Sequence, residues 1–316
     1  MTEVVDNEQL EDDELKVDVQ KEIQVKSGLP LLQKERAFTT NLHFFPCPEE
    51  IAQEKTTDVM GKEYFRNLIW SYSLGKIKFS ILGQADKGLP NGVVSRLIIN
   101  WIDNEIIYNS KQQDKGNITG GYKIKWSESI TEFCIKNLGL KKHGGIIREI
   151  QSQFEKIAGI TFQTTRDNKG ALEEYAIPFV VEKFFRWRNV ESEDSDEVSN
   201  SWVVIHPIYV DYVLNRNFYV EPKIVKLFLR NAEGIDLYKY FKYIANRQKS
   251  TTRIPLSEIR EKLGWTGKTD NLMRKVSGII KKIMEHDKSI KLEIIKGSNQ
   301  WNETVIVIYK SDMLDH

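Results

Sequence analysis

Three segments in the first half of the chain carry apolar residues at helical spacing. The first spans 92–109, the second covers 127–140 and closes at Gly139, and the third spans 144–159 with Phe154 in its apolar face. The second segment begins with a serine, which is a common helix cap. Intervals of three and four residues place the apolar side chains of each segment on one side. The pattern therefore predicts three helices.

Strand patterns stand before and after these helices. Residues 63–82 are rich in aromatic and β-branched side chains, which favour strands, and a hairpin turn is expected near Leu74–Gly75. After the third helix, the segments ITFQTTRD and EEYAIPFVVEKFFRWRN predict two strands around a turn at 168–170. The first half is thus expected to run through three helices and then two strands.

The same order recurs in the second half. A short strand at SWVVIH precedes a long helix over 223–248, helices at 257–263 and 268–285, and the strands IKLEIIKG and NETVIVIYK. Three helices followed by a β-hairpin are the elements of a winged helix, whose third helix can enter the major groove of DNA. Because both halves show this order, we predict an α+β fold with two tandem winged-helix domains.

Composition sets the limits of these domains. Residues 1–30 are polar and acidic with little apolar periodicity, so we expect a disordered acidic N-terminal tail. We place the N-terminal winged-helix domain at 31–190 and the C-terminal one at 198–316, joined by the acidic run ESEDSDE at 191–197. A chain of 316 residues has room for two cores of ordinary size.

Composition also narrows the class of protein. A hydrophobic content of 40% and a charged content of 29% are normal for a soluble globular chain. No apolar run approaches the roughly 20 residues of a membrane span, and the N-terminus lacks a signal-peptide pattern. Cys47 and Cys134 stand far apart without a Cys/His cluster, so we expect reduced thiols rather than a disulfide or a zinc site. These features predict a cytoplasmic protein that does not bind membranes.

Charge is distributed unevenly behind a net value of +1. Residues 1–24 hold nine acidic and two basic side chains, whereas residues 241–285 hold eleven Lys or Arg and four Asp or Glu. A local basic field attracts polyanions such as DNA. A solvated helix face is an equally good interpretation when charge alone is considered.

The segment GWTGKTDNLMRK, residues 264–275, contains a Gly-Lys-Thr that resembles the end of a phosphate-binding loop. Such a loop needs a glycine five residues before Gly267, between a strand and a helix. That position holds Lys262 and follows a helical pattern, so nucleotide binding is not expected. We expect Gly267 instead to relax the turn into the following helix, with Lys268 and Thr269 facing phosphate.

The helix at 268–285 is the stronger candidate for DNA recognition. Its apolar residues form one stripe, which leaves cationic groups for phosphates and amide or hydroxyl groups for base edges on the other side. The alternative is an ordinary amphipathic surface helix. The candidate residues are Lys268, Thr269, Asn271, Arg274, Lys275, Lys281 and Lys282, together with Arg253 earlier in the chain.

In the first half, the turn KKHGG precedes a helix that is expected to expose Arg148, Gln151, Ser152, Gln153 and Lys156. Glutamine can bond bidentately to adenine and arginine to guanine. Two glutamates in this helix dilute its charge, so the argument from charge is weaker here. The candidate DNA contacts are Lys141, Lys142, His143, Arg148, Gln151 and Ser152, with Arg166, Arg186 and Arg188 as wing contacts to the flanking backbone.

No arrangement of catalytic residues stands out in the sequence. A rolling-circle nuclease needs paired histidines for its metal and a tyrosine nucleophile. The segment around His206 has tyrosines but no second histidine, and we assign it to the core. We therefore expect a protein that is not an enzyme, with no catalytic residues, no metal and no cofactor.

Several motifs resemble those of the RepA-type plasmid replication initiators, in the same order over most of the folded chain. GLPNGVVSRLIINWI is similar to the family signature Gly-Leu-Pro-Tyr-Gly…Arg-Leu-Leu…Trp, with Asn91 in place of the tyrosine. SITEFCIKNLGL…GG is similar to a family helix and glycine pair, although Ile146–Ile147 replaces the usual aromatic-containing run. IDLYKYFKYIANRQKSTTRIPLSEIREKLG resembles a third segment. The matching residues include Gly88, Leu89, Pro90, Gly92, Arg96, Leu97, Trp101, Phe133, Gly139, Gly144, Gly145, Asp236, Tyr238, Arg253, Ile254, Pro255 and Gly264.

The resemblance implies a bacterial protein that binds repeated double-stranded sites in a plasmid origin, helps to open the duplex and assists the loading of host replication proteins. Many initiators of this family also repress their own promoter, so the resemblance implies a possible homodimer that represses and a monomer that initiates. A winged-helix transcriptional repressor without initiator activity is the alternative within the same fold. Two other classes are an enzyme that cuts or joins DNA and an adaptor whose basic helix docks acidic proteins.

Overall fold

The computed structural model describes eight stretches of the chain. The acidic tail predicted at 1–30 and the acidic run at 191–197 lie outside them. Within the described part, no helix is both long and apolar enough to cross a membrane. The described residues are 37–40, 49–74, 77–109, 121–126, 129–168, 171–185, 201–297 and 303–309.

Short elements come before the first long helix. The strands predicted within 63–82 are present, and Ile69 lies opposite Leu82 in an antiparallel hairpin. The elements are β1 (Ala37–Thr40), α1 (Glu49–Ala52), β2 (Lys55–Thr57), β3 (Glu63–Phe65), β4 (Ile69–Leu74) and β5 (Ile77–Leu82).

The described residues of the rest of the first half form three helical segments, as the pattern predicted. A capping box starts the second one: Ser129 Oγ accepts from the Glu132 backbone N–H at 3.2 Å, while the Glu132 carboxylate accepts from the Ser129 N–H. The elements are α2 (Gly92–Asn109), β6 (Tyr122–Trp126), α3 (Ile130–Glu132) with a π-helical continuation (Phe133–Asn137), α4 (Gly144–Ile157), β7 (Thr161–Asn168), β8 (Ala171–Pro178) and β9 (Val180–Phe184).

The second half repeats much of this order. Its last two helices and two strands lie within one or two residues of the predicted segments or inside them. The elements are β10 (Ser201–Ile205), α5 (Pro207–Arg216), β11 (Asn217–Val220), α6 (Pro222–Leu227), α7 (Ala232–Arg247), β12 (Thr252–Pro255), α8 (Leu256–Lys262), α9 (Thr269–His286), β13 (Leu292–Ile295) and β14 (Val305–Ile308).

The prediction of one long helix over 223–248 is wrong, because the helix is interrupted between α6 and α7. Asn231 has an extended backbone, and its side-chain oxygen accepts from the Gly234 N–H at 3.0 Å. Asparagine at an N-cap satisfies a donor that the first helical turn leaves open. A new helix therefore begins after Asn231, and the residues between α6 and α7 are not α-helical.

Two sheets cross the domain boundary that we predicted near residue 198. Strand β10 lies between β6 and β9 in an antiparallel sheet, with Val203 opposite Ile124. Strand β1 pairs with β11, and Ala37 lies opposite Val220. The acidic run at 191–197 therefore does not separate two independent sets of sheets.

The two hairpins that follow the recognition-helix candidates pair differently. In the second half the sheet order is β12-β14-β13, with Thr252 and Leu292 both opposite Ile308. In the first half β7 and β8 join β5 and β4 in a four-stranded sheet, with Leu82 opposite Thr161. The hairpin after α9 thus pairs with a strand of its own unit, and the hairpin after α4 extends an earlier hairpin.

A buried polar contact joins the two halves through α2 and α7. Arg96 donates to both carboxylate oxygens of Asp236 at 2.5–3.0 Å, and its side chain is only 3% exposed. One turn further along each helix, Lys239 Nζ donates to Asn100 Oδ1 at 3.0 Å. Burial lowers the pKa of Lys239. Charged groups removed from water are tolerated only when paired in this way, so the two helices are held in one register.

Candidate nucleic-acid interface

Helix α9 divides cleanly into a buried face and an exposed face. Leu272, Val276, Ile279, Ile280 and Ile283 form the predicted apolar stripe and are at most 5% exposed. Their packing fixes the helix on the core. The exposed face carries four candidate DNA contacts on one side of the helix, namely Asn271, Arg274, Lys281 and Lys282.

The turn into α9 differs from the prediction. The residue with positive φ is Gly264, at +59°, and not Gly267. Arg260 crosses the turn and donates to the Gly267 carbonyl oxygen at 3.1 Å and to Thr269 Oγ1 at 2.8 Å. Thr269 is therefore engaged within the protein, while Lys268 is exposed at the helix start.

Lys275 is held by the protein, although we predicted it as a DNA contact. Its ammonium donates to the Glu233 carboxylate at 2.5 Å and lies 5.1 Å from the centre of the Trp265 ring. Partial burial raises the pKa of Glu233, but the hydrogen bond and charge of Lys275, a backbone hydrogen bond and the charge of Arg96 together leave the pKa lowered. Lys275 thus ties α9 to α7, whereas its neighbour Arg274 points to solvent.

The far end of α9 is anchored by a buried carboxylate. Asp287 is 1% exposed and accepts from Lys242 Nζ at 2.9 Å, from Ser289 Oγ at 2.6 Å and from Tyr238 Oη at 3.1 Å. Burial alone raises the pKa of Asp287, but Ser289 and the Lys242 ammonium together hold it below its ordinary value. These bonds fix the end of α9 against α7.

His143, one of the candidate DNA contacts, is the N-cap of helix α4. The His143 ring nitrogen Nδ1 accepts from the Ile146 N–H at 3.2 Å, so the imidazole caps the helix. Lys141 and Lys142 precede it and are exposed. Arg148 and Ser152 are also exposed, and Gln151 is half-buried.

Two residues that we expected on the exposed face of α4 are buried. Gln153 and Lys156 are 4% and 8% exposed. Both donate to Asn91 Oδ1, at 3.0 and 3.1 Å, and Gln153 also accepts from the Asn91 N–H. Asn91 occupies the position of the tyrosine in the RepA-type signature, and its amide replaces water for both side chains.

The predicted wing contacts are only partly described. Arg166 lies in β7, where its backbone pairs with Ile77 and Glu173. Arg186 and Arg188 lie outside the described residues. Arg253 lies in β12 and is exposed, on a strand that pairs with β14 of the second hairpin.

A cleft of about 1150 Å³ separates α4 from the turn before α9. Glu149 and Ser152 line one wall, Trp265 lines the other, and the Arg96–Asp236 pair lies between them. Arg230 also lines the cleft, is exposed, and has no ion pair within the described part of the chain. The cleft therefore lies between α4 and the start of α9, with Arg230 among its lining residues.

Sequence reasoning missed Arg230 as a candidate contact because it placed this residue inside the helix predicted over 223–248. The structure puts it in the break between α6 and α7. The available signal was Asn231 itself, because asparagine is one of the most favoured N-cap residues and an acidic residue, Glu233, follows it in the first turn.

His206 and Cys134 have side chains that can take part in chemistry. His206 caps α5 by accepting from the Ile208 N–H at 3.2 Å. Among the described residues, no three His, Cys, Asp or Glu side chains are grouped so as to hold a metal ion. Cys134 is buried, and this burial raises the pKa of its thiol.

These observations describe an α+β protein in which two helical units, each followed by a hairpin, present α4 and α9. The fold is similar to that of two crystal structures of domains 2 and 3 of RctB, one of them a selenomethionine derivative. The sequence identities are 14% and 15%, and each TM-score is 0.50. Each match covers 83% of this chain and 96% or 94% of the RctB chain, and at such identity it shows the fold alone.

Sequence comparison gives no further assignment. No protein-family model matches the chain. No curated protein matches it either.

Proposed function

We propose that this chain is a sequence-specific, double-stranded DNA-binding protein that initiates plasmid replication. Two winged helices would make the contacts, with α4 and α9 as the recognition helices. The protein would act by binding DNA and not as an enzyme. It would work in the bacterial cytoplasm, where host replication proteins would be its partners and where it could also form a homodimer.

The second half supplies the best support for a winged helix. Its order is α7, β12, α8, α9, β13 and β14, and β14 lies between the other two strands. A helix, a strand, two helices and a hairpin that pairs with the first strand make up a winged helix. The third helix of such a unit enters the major groove in many DNA-binding proteins.

The first half has the same order of elements in α2, β6, α3, α4, β7 and β8. Its pairing differs, because β6 joins β10 and the β7–β8 hairpin joins β4 and β5. We therefore infer a modified winged helix whose wing is supported by an additional hairpin. Such support would limit the movement of the wing toward the DNA backbone.

The exposed face of α9 is the observation that carries the proposal. Arg274, Lys281 and Lys282 are exposed along one side and can neutralise phosphates. Asn271 lies one turn before Arg274 and can meet a base edge. Helix α4 adds Arg148 and Gln151, while Lys141, Lys142 and Lys268 stand at the two helix starts. Arg230 can contact a phosphate between the two helices.

Initiation of replication rests on less direct support than DNA binding. RctB is a replication initiator, and its domains share this fold. The motifs that resemble RepA-type initiators add to this, since they extend over both halves of the chain. A transcriptional repressor of the same fold is the second candidate, because the recognition surface of such a protein would be similar.

Selection of bound duplexes from a random library tests the proposal. If both helices read one face of the duplex, they enter successive major grooves about 10 base pairs apart. A long, asymmetric motif with repeated copies in the parent DNA supports an initiator, and a short palindrome at a promoter supports a repressor. If no sequence is enriched, DNA recognition is refuted and the adaptor interpretation returns.

A further inference from the structure

A glycine lies in the middle of the exposed face of α9. Gly278 is exposed, with Arg274 one turn before it and Lys282 one turn after it. Glycine is among the least favourable residues in a helix interior, because it loses the most backbone freedom on folding. The position is thus occupied by a residue that weakens the helix.

The fold itself gives no reason for this glycine. The helix continues without a break from Thr269 to His286, and Gly278 is absent from the glycines with positive φ. A Cβ atom added to it would meet nothing within 4 Å. Gly234 in α7 is different, because a Cβ there would overlap the Phe228 ring. Packing explains Gly234 and leaves Gly278 unexplained.

We propose that Gly278 is a contact point at which DNA approaches the backbone of α9. This inference rests on the proposed function, since it takes duplex DNA as the ligand. Cationic side chains on the turns before and after Gly278 can hold phosphates on either side. The missing side chain leaves a strip of bare helix surface between them, so a base edge or a sugar can pack directly on the backbone.

The key variant is Gly278→Ala, which adds one methyl group. The melting temperature should rise by about 2 °C, because alanine favours the helix. Affinity for the duplexes recovered by selection should fall tenfold or more, since the methyl group holds the DNA away from the helix. The slope of affinity against salt should stay unchanged, because no charge is lost. Gly278→Val should weaken binding further.

Asn246→Ala is the matched control. Asn246 is an exposed residue near the end of α7, and alanine there also favours the helix. This variant should be slightly more stable and should bind the selected duplexes as the original protein does. A loss of affinity in Gly278→Ala alone therefore reports a contact rather than a general effect of helix stabilisation.

The outcomes separate this inference from the proposed function. If the original protein binds the selected duplexes and Gly278→Ala binds them equally well, the contact at Gly278 is refuted and DNA binding stands. If the original protein binds no duplex, both are refuted. A tenfold loss combined with a higher melting temperature supports both.

Discussion

Helices α4 and α9 hold equivalent places in the two halves but use their polar residues differently. On α9, an all-apolar stripe packs inward and Arg274, Lys281 and Lys282 are exposed. On α4, Gln153 and Lys156 turn inward to Asn91. Whether a polar side chain faces solvent therefore depends on whether a neighbouring element offers it a hydrogen-bond partner. An amide at position 91 draws two polar residues of α4 away from solvent.

This comparison assigns different work to the two helices. The exposed cations of α9 suit affinity, because phosphate contacts are independent of sequence. The exposed face of α4 offers Arg148 and Gln151 with less net charge, which suits the reading of bases. Four variants test how the two helices are held and what each contributes, and they follow from the largest expected effect to the smallest.

The largest effect should come from Asp287→Asn, which removes the anchor of α9. The substitution leaves the ammonium of Lys242 without its buried partner and should lower the free energy of unfolding by about 3 kcal/mol at pH 7. Chemical denaturation of the variant measures this loss. Asp211→Asn, at an exposed position on α5, is the control and should change little.

The same carboxylate predicts a dependence on pH. The pKa of Asp287 is lower in the folded protein than its ordinary value of 3.8. Its contribution to stability is therefore complete above about pH 5 and is lost as the pH falls through the folded-state pKa. The stability difference between the original protein and Asp287→Asn should shrink in acid. A constant difference down to pH 2 would contradict this role.

Removal of the three exposed cations of α9 should have the next largest effect. The triple variant Arg274→Ala, Lys281→Ala, Lys282→Ala should lose affinity by on the order of a hundredfold at 0.1 M salt, and its salt slope should decrease by about three units. Arg148→Ala on α4 should change the slope by about one unit at most. Equal slopes for the triple variant and the original protein would remove α9 from the interface.

Gln151→Ala should have a smaller and more selective effect. Loss of a bidentate contact to one base should reduce discrimination at that base pair by about 1–2 kcal/mol and leave the salt slope unchanged. Competition between duplexes that differ at single positions measures this. A uniform loss over all sequences would mean that Gln151 supports the fold or contacts the backbone instead.

Lys275→Ala should have the smallest effect on DNA binding. Because its ammonium pairs with Glu233, the salt slope should stay the same, and the free energy of unfolding should fall by about 0.5 kcal/mol at this half-exposed pair. Arg274→Ala, at the adjacent position, should instead reduce the salt slope and leave the free energy of unfolding unchanged. If both variants reduce the salt slope equally, the Lys275–Glu233 pair opens when DNA binds.

Much of the helical framework was predictable from periodicity. Helices α2, α4 and α9 carry strong apolar repeats, and their bounds were predicted within about two residues. The strands β6 and β12 were missed, although β6 pairs with β10 of the second half and β12 pairs with β14 of its own unit. In β6, Tyr122, Ile124 and Trp126 are buried and alternate with two lysines, which is a strand pattern that five residues make easy to overlook.

The candidate site was less predictable than the fold. The exposed cations of α9 follow from its stripe, but the roles of Lys275 and Thr269 depend on Glu233 and Arg260, which come from other elements. Gln153 and Lys156 have the same dependence on Asn91, more than 60 residues earlier in the chain. Helical spacing decides which residues share a face and does not decide which of them find a partner.

The bond between Arg96 and Asp236 limits how modular this chain can be. The two residues are 140 positions apart and meet almost without water. A fragment ending near residue 190 would keep the guanidinium and lose the carboxylate, exposing a charge that the whole chain neutralises. Exchange of halves between related chains, by recombination or by design, therefore has to carry both partners, and in any lineage the two positions should change together or not at all.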